Sequence, residues 1–147
     1  MNLLGGTDPA LPRTGWTAAA DSQETVKENG AAANVLDGNT ATIWHTAYGT
    51  PPAAPLPHQL TVDMKVLNLV FGLSYLPRQG SVRNGTIGQY RIETSTDGTT
   101  WGAAAATGAF SDIATACSAP RCGTRPRSSS VRWRRPRSRG RTTAWPC

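Results

Sequence analysis

Turn-forming residues interrupt the chain so often that no long helix fits into it. Apolar positions are broken every few residues by Gly, Pro, Asn or Thr, and no strong helical period runs through them. Between the breaks, "HQLTVDMK" alternates Leu60, Val62 and Met64 with polar residues, which is the period-two pattern of a half-buried strand. "LVFGLSYL" follows as a denser apolar run, and "GQYRIETSTDG" alternates again before a turn. These patterns predict an all-β sandwich, with "GAAANVLDGN" as an ordered loop.

Charge divides the chain into two unlike parts. Residues 1–112 contain six Lys or Arg and all nine Asp or Glu, whereas residues 113–147 contain nine Arg and no acid. The C-terminal part is rich in Arg, Pro, Ser, Gly and Thr, and it has too little apolar surface to offset the entropy of ordering. We therefore expect an N-terminal extension over residues 1–14, a sandwich over 15–112, and a disordered or frame-shifted tail over 113–147.

Several function classes find no support in the residues. All three cysteines lie in the tail, and their odd number without partnering His argues against a zinc site. Two histidines, His45 and His58, are too few for a copper site, and no paired carboxylates or nucleophile–base set is visible, which predicts a non-catalytic chain. The start, "MNLLGGTDPALPR", lacks a basic n-region and a long apolar run, so we expect neither a signal peptide nor a membrane span there.

Five segments, in this order, carry a resemblance to a known family: "NVLDGNTATIWHTAYG", "PLPHQLTVDMK", "GLSYLPRQ", "NGTIGQYRIETSTDGTTWG" and "ATGAF". Together they resemble the F5/8 type C, or discoidin, domain, and more closely the carbohydrate-binding modules of family 32, including the N-terminal galactose-binding domain of galactose oxidases. The resemblance implies a galactose-binding-like jelly-roll β-sandwich, in agreement with the strand pattern. It also implies a non-catalytic module that recognises terminal galactose or related glycans and targets an attached secreted enzyme to them.

The resemblance further implies a sugar site. An aromatic face stacks on the C–H side of a pyranose, while polar groups form hydrogen bonds to its hydroxyls. Tyr48 is implied as the stacking aromatic, and His45 as a hydrogen-bonding group near the axial hydroxyl of galactose. Arg78 is implied as a fork donor to adjacent hydroxyls, Glu28 as an acceptor, and Asn84 as a further edge contact.

Each of these residues also has a purely structural interpretation. His45 could be a histidine whose hydrogen bonds are satisfied within the fold, and Tyr48 could be a core tyrosine. Arg78 could simply form an ion pair with an acid such as Glu28. The neighbouring Trp44 is expected to point into the sandwich.

"NVLDGNTAT" places closely spaced oxygen donors in a tight turn. Such a turn suits a hard cation, which requires roughly six to eight oxygen ligands. The resemblance implies a structural calcium or sodium ion held by the backbone oxygen of Asn34 and by Asp37, Asn39 and Thr42. The family completes this shell near its C-terminus, but no Glu follows Glu93 here, so we expect an incomplete site. The alternative is an Asx-type turn without an ion.

Two other functions stay open. Discoidin domains also bind proteins or membranes through exposed apolar loop tips, and an Arg-rich tail can bind nucleic acid non-specifically. The family's closing strands, with "ARYVRL" and "AEI", are replaced in this chain by the tail. The sandwich is therefore expected to lack its terminal strand pairing.

Overall fold

The fold consists of short strands joined by long connections. The structure is a computed structural model that describes residues 1–5, 10–79, 81–82, 84–110, 117–118 and 127–135. Within these residues the elements are one 3-10 helix (Ala32–Val35) and the strands β1 (Asn2–Leu4), β2 (Thr17–Ala20), β3 (His58–Leu69), β4 (Gly72–Tyr75), β5 (Gln89–Ser95), β6 (Ala106–Ala109), β7 (Cys117–Ser118) and β8 (Arg127–Arg135). No helix in this part of the chain has the length and apolar character needed to cross a membrane.

The strands form two antiparallel sheets. The larger sheet has the order β2-β3-β8-β5-β6, and the smaller has the order β1-β4-β7. Leu60, Val62 and Met64 of β3 are all buried, so the alternation in "HQLTVDMK" does mark a face directed at the core. The predicted all-β sandwich is therefore confirmed.

The core joins residues of both sheets. Leu3 and Leu73 contribute from the smaller sheet, and Ile92 and Val131 contribute from the larger one. Fully burying side chains of this size stabilises a fold by about 1.5–3 kcal/mol each. Residues from both ends of the chain thus help to hold the sandwich together.

The tail contradicts the sequence-based expectation over residues 127–135. This segment forms β8, which lies between β3 and β5 and pairs with both. The expectation of a disordered tail without strand pairing is wrong for these residues. Composition was misleading because a central strand is stabilised chiefly by its neighbours: β8 fills the space between two strands whose backbone groups need partners, and it adds the buried Val131.

Strand pairing also extends the sandwich at other places outside the expected 15–112 range. β1 pairs with β4, and Leu3 is buried in the core, so part of the expected N-terminal extension belongs to the sandwich. Cys117 and Ser118 form β7, which also pairs with β4. The other residues of the expected tail lie outside the described part of the chain, and their predicted character is untested.

Two connections between strands carry the residues implied for function. Residues 21–57 join β2 to β3 and include the 3-10 helix, where the sequence had indicated an ordered loop. Residues 76–88 join β4 to β5. Both connections come together at one end of the sandwich, where Arg78 Nη2 lies 4.0 Å from Glu28 Oε2.

Candidate functional site

The five residues implied for sugar binding form one cluster, here called the polar ring. Tyr48 donates its hydroxyl hydrogen to Glu28 Oε1 at 3.1 Å, and Glu28 Oε2 lies 4.0 Å from Arg78 Nη2. Arg78 Nη1 donates to Asn84 Oδ1 at 3.4 Å. The His45 and Tyr48 rings meet edge to face, with centroids 4.8 Å apart. The structure therefore brings together residues that are up to 56 positions apart in the sequence (Glu28 to Asn84).

His45 has one ring nitrogen satisfied within the fold and one that is not. Nδ1 lies 2.7 Å from the Thr46 carbonyl oxygen. Because a carbonyl can only accept, Nδ1 carries the hydrogen and Nε2 of the neutral ring is an acceptor. Nε2 is buried and has no hydrogen-bond partner among the described residues. A buried polar atom of this kind is costly to leave unpaired, so the position favours a ligand that brings a hydrogen-bond donor.

The backbone of Gly85 lies close to this nitrogen. Gly85 has φ +82°, a conformation that side-chain-bearing residues rarely adopt. A Cβ atom placed on Gly85 would lie 2.8 Å from His45 Nε2. Any larger residue would therefore crowd His45 Nε2.

Tyr48 is exposed at the edge of the ring. Its side chain is 43% exposed, which argues against a core role. Desolvation raises the pKa of Tyr48, and its hydrogen bond to Glu28 raises it further. The phenol therefore remains a protonated donor at neutral pH while its aromatic surface is open to solvent. A half-exposed aromatic beside polar groups is suited to stacking on a sugar.

Arg78 and Glu28 are held loosely. Both side chains are 28% exposed, and their closest N–O approach is 4.0 Å. Ion pairs at such exposure contribute little to stability, and the 3.4 Å bond from Arg78 to Asn84 is long. The guanidinium can therefore turn its donors toward a ligand hydroxyl at small cost. The ion-pair interpretation of Arg78 and the ligand interpretation are compatible here.

Glu24 organises the cluster, and sequence reasoning missed it. Its carboxylate is buried and accepts four backbone N–H bonds: Oε1 from Val26 and Lys27 at 2.7 and 2.8 Å, and Oε2 from Tyr48 and Gly49 at 2.7 and 2.6 Å. These donors, led by Tyr48 and Lys27, lower the pKa of Glu24 to about 2. The only sequence signal was an acid just before a turn, since half of its partners lie more than twenty residues away.

Backbone bonds around Glu24 also fix His45. Glu24 N–H donates to the His45 carbonyl at 2.7 Å, and His45 N–H donates to the Gly30 carbonyl at 3.2 Å. Trp44, beside His45, packs against the core as expected, and its Nε1 donates to the Ser22 carbonyl at 3.0 Å. These hydrogen bonds thus hold the segment that carries His45 and Tyr48 in place.

The residues of the predicted cation turn form hydrogen bonds with one another and with the neighbouring backbone. Asp37 Oδ1 accepts from Asn39 N–H at 2.8 Å, and Oδ2 accepts from the Thr42 hydroxyl at 2.6 Å. The Thr42 bond is the main cause of the lowered pKa of Asp37. Asn34 donates both amide hydrogens, to the carbonyls of Asn29 and Ile43.

This hydrogen-bond pattern suits an Asx-type turn better than a calcium-binding site. The turn offers a single carboxylate, and both of its oxygens already accept hydrogen bonds. Glu93 is occupied elsewhere, in 2.8 Å ion pairs with Arg91 and Arg132. In the described ranges, no three His, Cys, Asp or Glu residues group closely enough to hold a metal. Calcium or sodium binding stays a prediction.

Comparisons with known proteins agree with this architecture. Galactose oxidase of Gibberella zeae is 42% identical over 107 residues, which cover 72% of this chain and 15% of that protein. Sialidase of Micromonospora viridifaciens is 42% identical over 93 residues, which cover 63% of this chain and 14% of that protein. The chain therefore spans about a seventh of the length of these relatives.

A solved structure matches at the level of the whole fold. CpGH89CBM32-5 from Clostridium perfringens, solved in complex with GalNAc-β-1,3-galactose, has a TM-score of 0.79 and 28% sequence identity to this chain. The match covers 90% of this chain and 91% of that one, so the implied jelly-roll sandwich is confirmed. Residues 17–119 match the F5/8 type C domain, and the chain belongs to that family.

Proposed function

We propose that this chain is a non-catalytic carbohydrate-binding module that recognises terminal galactose or a related sugar. The observation that carries the proposal is the buried Nε2 of His45, which has no hydrogen-bond partner in the described part of the chain, beside the exposed Tyr48. The names of the relatives, which include galactose oxidase and sialidase, and the bound GalNAc-β-1,3-galactose of the C. perfringens module support the same class of ligand.

Each member of the polar ring has a chemical role in this proposal. The Tyr48 ring stacks on the apolar face of the pyranose, and His45 Nε2 accepts a hydrogen bond from a sugar hydroxyl. Arg78 donates to neighbouring hydroxyl oxygens, while Glu28 accepts from a hydroxyl. The C4 hydroxyl of galactose is axial and projects from the mean plane of the sugar ring, whereas that of its C4 epimer, glucose, is equatorial. A hydrogen-bond acceptor placed above the edge of the sugar ring therefore distinguishes galactose from glucose.

The relatives are much longer than this chain, which suggests a role for the module beside an attached domain. The chain corresponds to 15% of galactose oxidase and 14% of the sialidase, which leaves most of each relative outside the match. We propose that the module targets an attached secreted enzyme to galactose-containing glycans. Binding of a single sugar would be weak, near millimolar or about −4 kcal/mol. Weak binding suffices for targeting when the catalytic unit is tethered to the same chain.

The test is a titration with galactose and with glucose, followed by amide chemical shifts. We expect galactose to shift the amides of residues 45–49 and 84–85, and glucose to shift them far less. Gly85→Ala should abolish the response because its Cβ would crowd His45 Nε2. Gly15→Ala is the matched control, since Gly15 also has a positive φ of +77° and a Cβ there meets no atom within 4 Å. Equal responses to both sugars, or normal binding by Gly85→Ala, would refute the site.

A second candidate is a discoidin-type domain that binds a protein or a membrane. Val26 is 69% exposed and Val82 is 53% exposed, and they lie on the two connections that carry the polar ring. Apolar residues exposed on neighbouring loops favour such contacts. A liposome pull-down that retains the chain, together with a flat galactose titration, would favour this alternative.

A further inference from the structure

A cavity of about 210 Å³ extends the polar ring to one side. His45, Arg78 and Asn84 line one part of it, and Arg13 and Asp37 line another. The lining includes amides and hydroxyls as well as apolar side chains, a mixture typical of sites for polar organic ligands. The cavity therefore shares three residues with the polar ring, whereas Glu28 and Tyr48 do not line it.

Arg13 is the distinctive group in this cavity. Its side chain is half-buried, and its guanidinium makes no hydrogen bond or ion pair within the described part of the chain. Asp37 is the nearby acid, but its two carboxylate oxygens already accept from Asn39 and Thr42. Arg13 lies near enough to help lower the pKa of Asp37, but its guanidinium donates no hydrogen bond to that carboxylate, so its N–H donors stay available to an anion.

The Arg13 guanidinium lies close to the backbone of Gly38. A Cβ built on Gly38 would lie 3.1 Å from Arg13 Nη2, and Gly38 itself has φ +77°. The glycine thus allows the guanidinium to lie against the backbone of the turn that also lines the cavity. The planar fork of a guanidinium matches the paired oxygens of a carboxylate or sulfate.

We propose that this cavity is a second subsite for an acidic group, a carboxylate or sulfate, carried by the glycan at or next to its terminal galactose. The inference rests on the proposed function, because the polar ring would hold the galactose itself. Arg13 pairs with the acidic group, and Asn34 contributes an acceptor for a hydroxyl, since both of its amide hydrogens are already donated. The module would then prefer acidic galactosides over neutral ones.

The experiment compares four ligands on the full chain by calorimetry at fixed ionic strength: galactose, lactose, galactose 6-sulfate and a galactose disaccharide with a uronic acid. We expect at least one acidic ligand to bind about tenfold more tightly than galactose, the factor that corresponds to a modest charge-assisted bond. The sulfate and uronic acid ligands distinguish the two sources of the acidic group. Equal affinity for acidic and neutral ligands would overturn the proposal.

Arg13→Gln should remove the preference and leave galactose affinity unchanged. Lys65→Gln is the matched control, because Lys65 pairs with Asp63 at the surface and does not line the cavity. A preference that survives Arg13→Gln would come from other cations, such as the Arg-rich C-terminal residues, and would overturn the proposal. Arg13→Lys keeps the positive charge but lacks the planar fork, so this variant should retain only part of the preference for acidic ligands. It keeps the proposal testable if Arg13→Gln does not fold. A full preference in Arg13→Lys would contradict the role of the fork.

The two proposals fail in different ways. If galactose binds but acidic ligands gain nothing, only the second subsite is wrong. If neutral galactose does not bind while an acidic ligand binds in an Arg13-dependent way, the acidic subsite is supported and galactose recognition is wrong.

Discussion

Glu24 holds Tyr48 in place through the backbone rather than through the side chain. Its Oε2 accepts the Tyr48 N–H at 2.7 Å, and the same oxygen accepts the Gly49 N–H at 2.6 Å. The loop that carries the aromatic of the polar ring therefore depends on a buried carboxylate that lines no part of the ring surface. A Cβ on Gly49 would lie 2.7 Å from Glu24 Oε1, so this close approach also requires glycine.

Glu24→Gln should weaken galactose binding about tenfold or more without removing any group that contacts the sugar. Glutamine has the same shape, but its amide nitrogen cannot accept the backbone N–H bonds that one carboxylate oxygen accepts. The Tyr48 loop would then lose its fixed position. Asp97→Asn is the matched control, because Asp97 accepts N–H bonds from Thr99 and Thr100 in a separate turn. Galactose titration of both variants checks the prediction, which fails if they bind alike.

Acid should destabilise the fold partly through Glu24. Its pKa is lowered from 4.5 to about 2 in the folded chain, so folding favours the charged carboxylate. The resulting stability is fully present above pH 4.5 and is lost as pH falls from 4.5 toward 2. Melting temperatures at pH 7 and pH 3 check this. The difference between the parent chain and Glu24→Gln should shrink at pH 3; a constant difference would contradict the assignment.

Within the polar ring, Arg78→Ala should cost more binding energy than His45→Ala. Arg78 would make charge-assisted hydrogen bonds, so its loss should cost about 1.5–3 kcal/mol, whereas loss of a neutral partner at His45 should cost about 0.5–1.5 kcal/mol. Chemical-shift titration measures both, with circular dichroism as the folding control. Parent-like galactose binding by Arg78→Ala would exclude the proposed site.

Truncation after Asp112 should unfold the sandwich. It removes β8, which pairs with both β3 and β5, together with the buried Val131. Truncation after Arg135 keeps β8 and is the matched control. We expect a cooperative thermal transition by circular dichroism in the longer chain and none in the shorter one. A folded, galactose-binding 1–112 fragment would show that β8 is dispensable.

Calcium should raise the melting temperature by less than about 4 °C, the shift that roughly 1 kcal/mol produces in a domain of this size. Asp37 is the single carboxylate of the predicted turn, and both of its oxygens already accept hydrogen bonds. Melting curves with millimolar calcium or with a chelator test this expectation. A large calcium-dependent rise would mean that ligands outside the described residues complete a shell.

The main strands could be predicted because their signals are local, whereas the site residues were implied by the family resemblance. Leu60, Val62 and Met64 occupy alternate positions over five residues, and the His45–Tyr48 segment is part of a motif that resembles the family's. Glu24 and β8 were not predictable in this way. The partners of Glu24 include Tyr48 and Gly49, and the partners of β8 lie in two distant strands.

By itself, the sequence determined an all-β sandwich and its main strands, because side-chain period and turn chemistry are properties of neighbouring residues. The set of residues suited to sugar binding was implied by the family resemblance. Only the tertiary structure decided that Glu28, His45, Tyr48, Arg78 and Asn84 meet in one ring, and that His45 Nε2 has no partner among the described residues. It also decided that residues 127–135 form a central strand. The physical reason is that hydrogen-bond satisfaction and burial depend on which distant segments pack together, and a weakly apolar segment becomes a strand when two neighbours supply its partners.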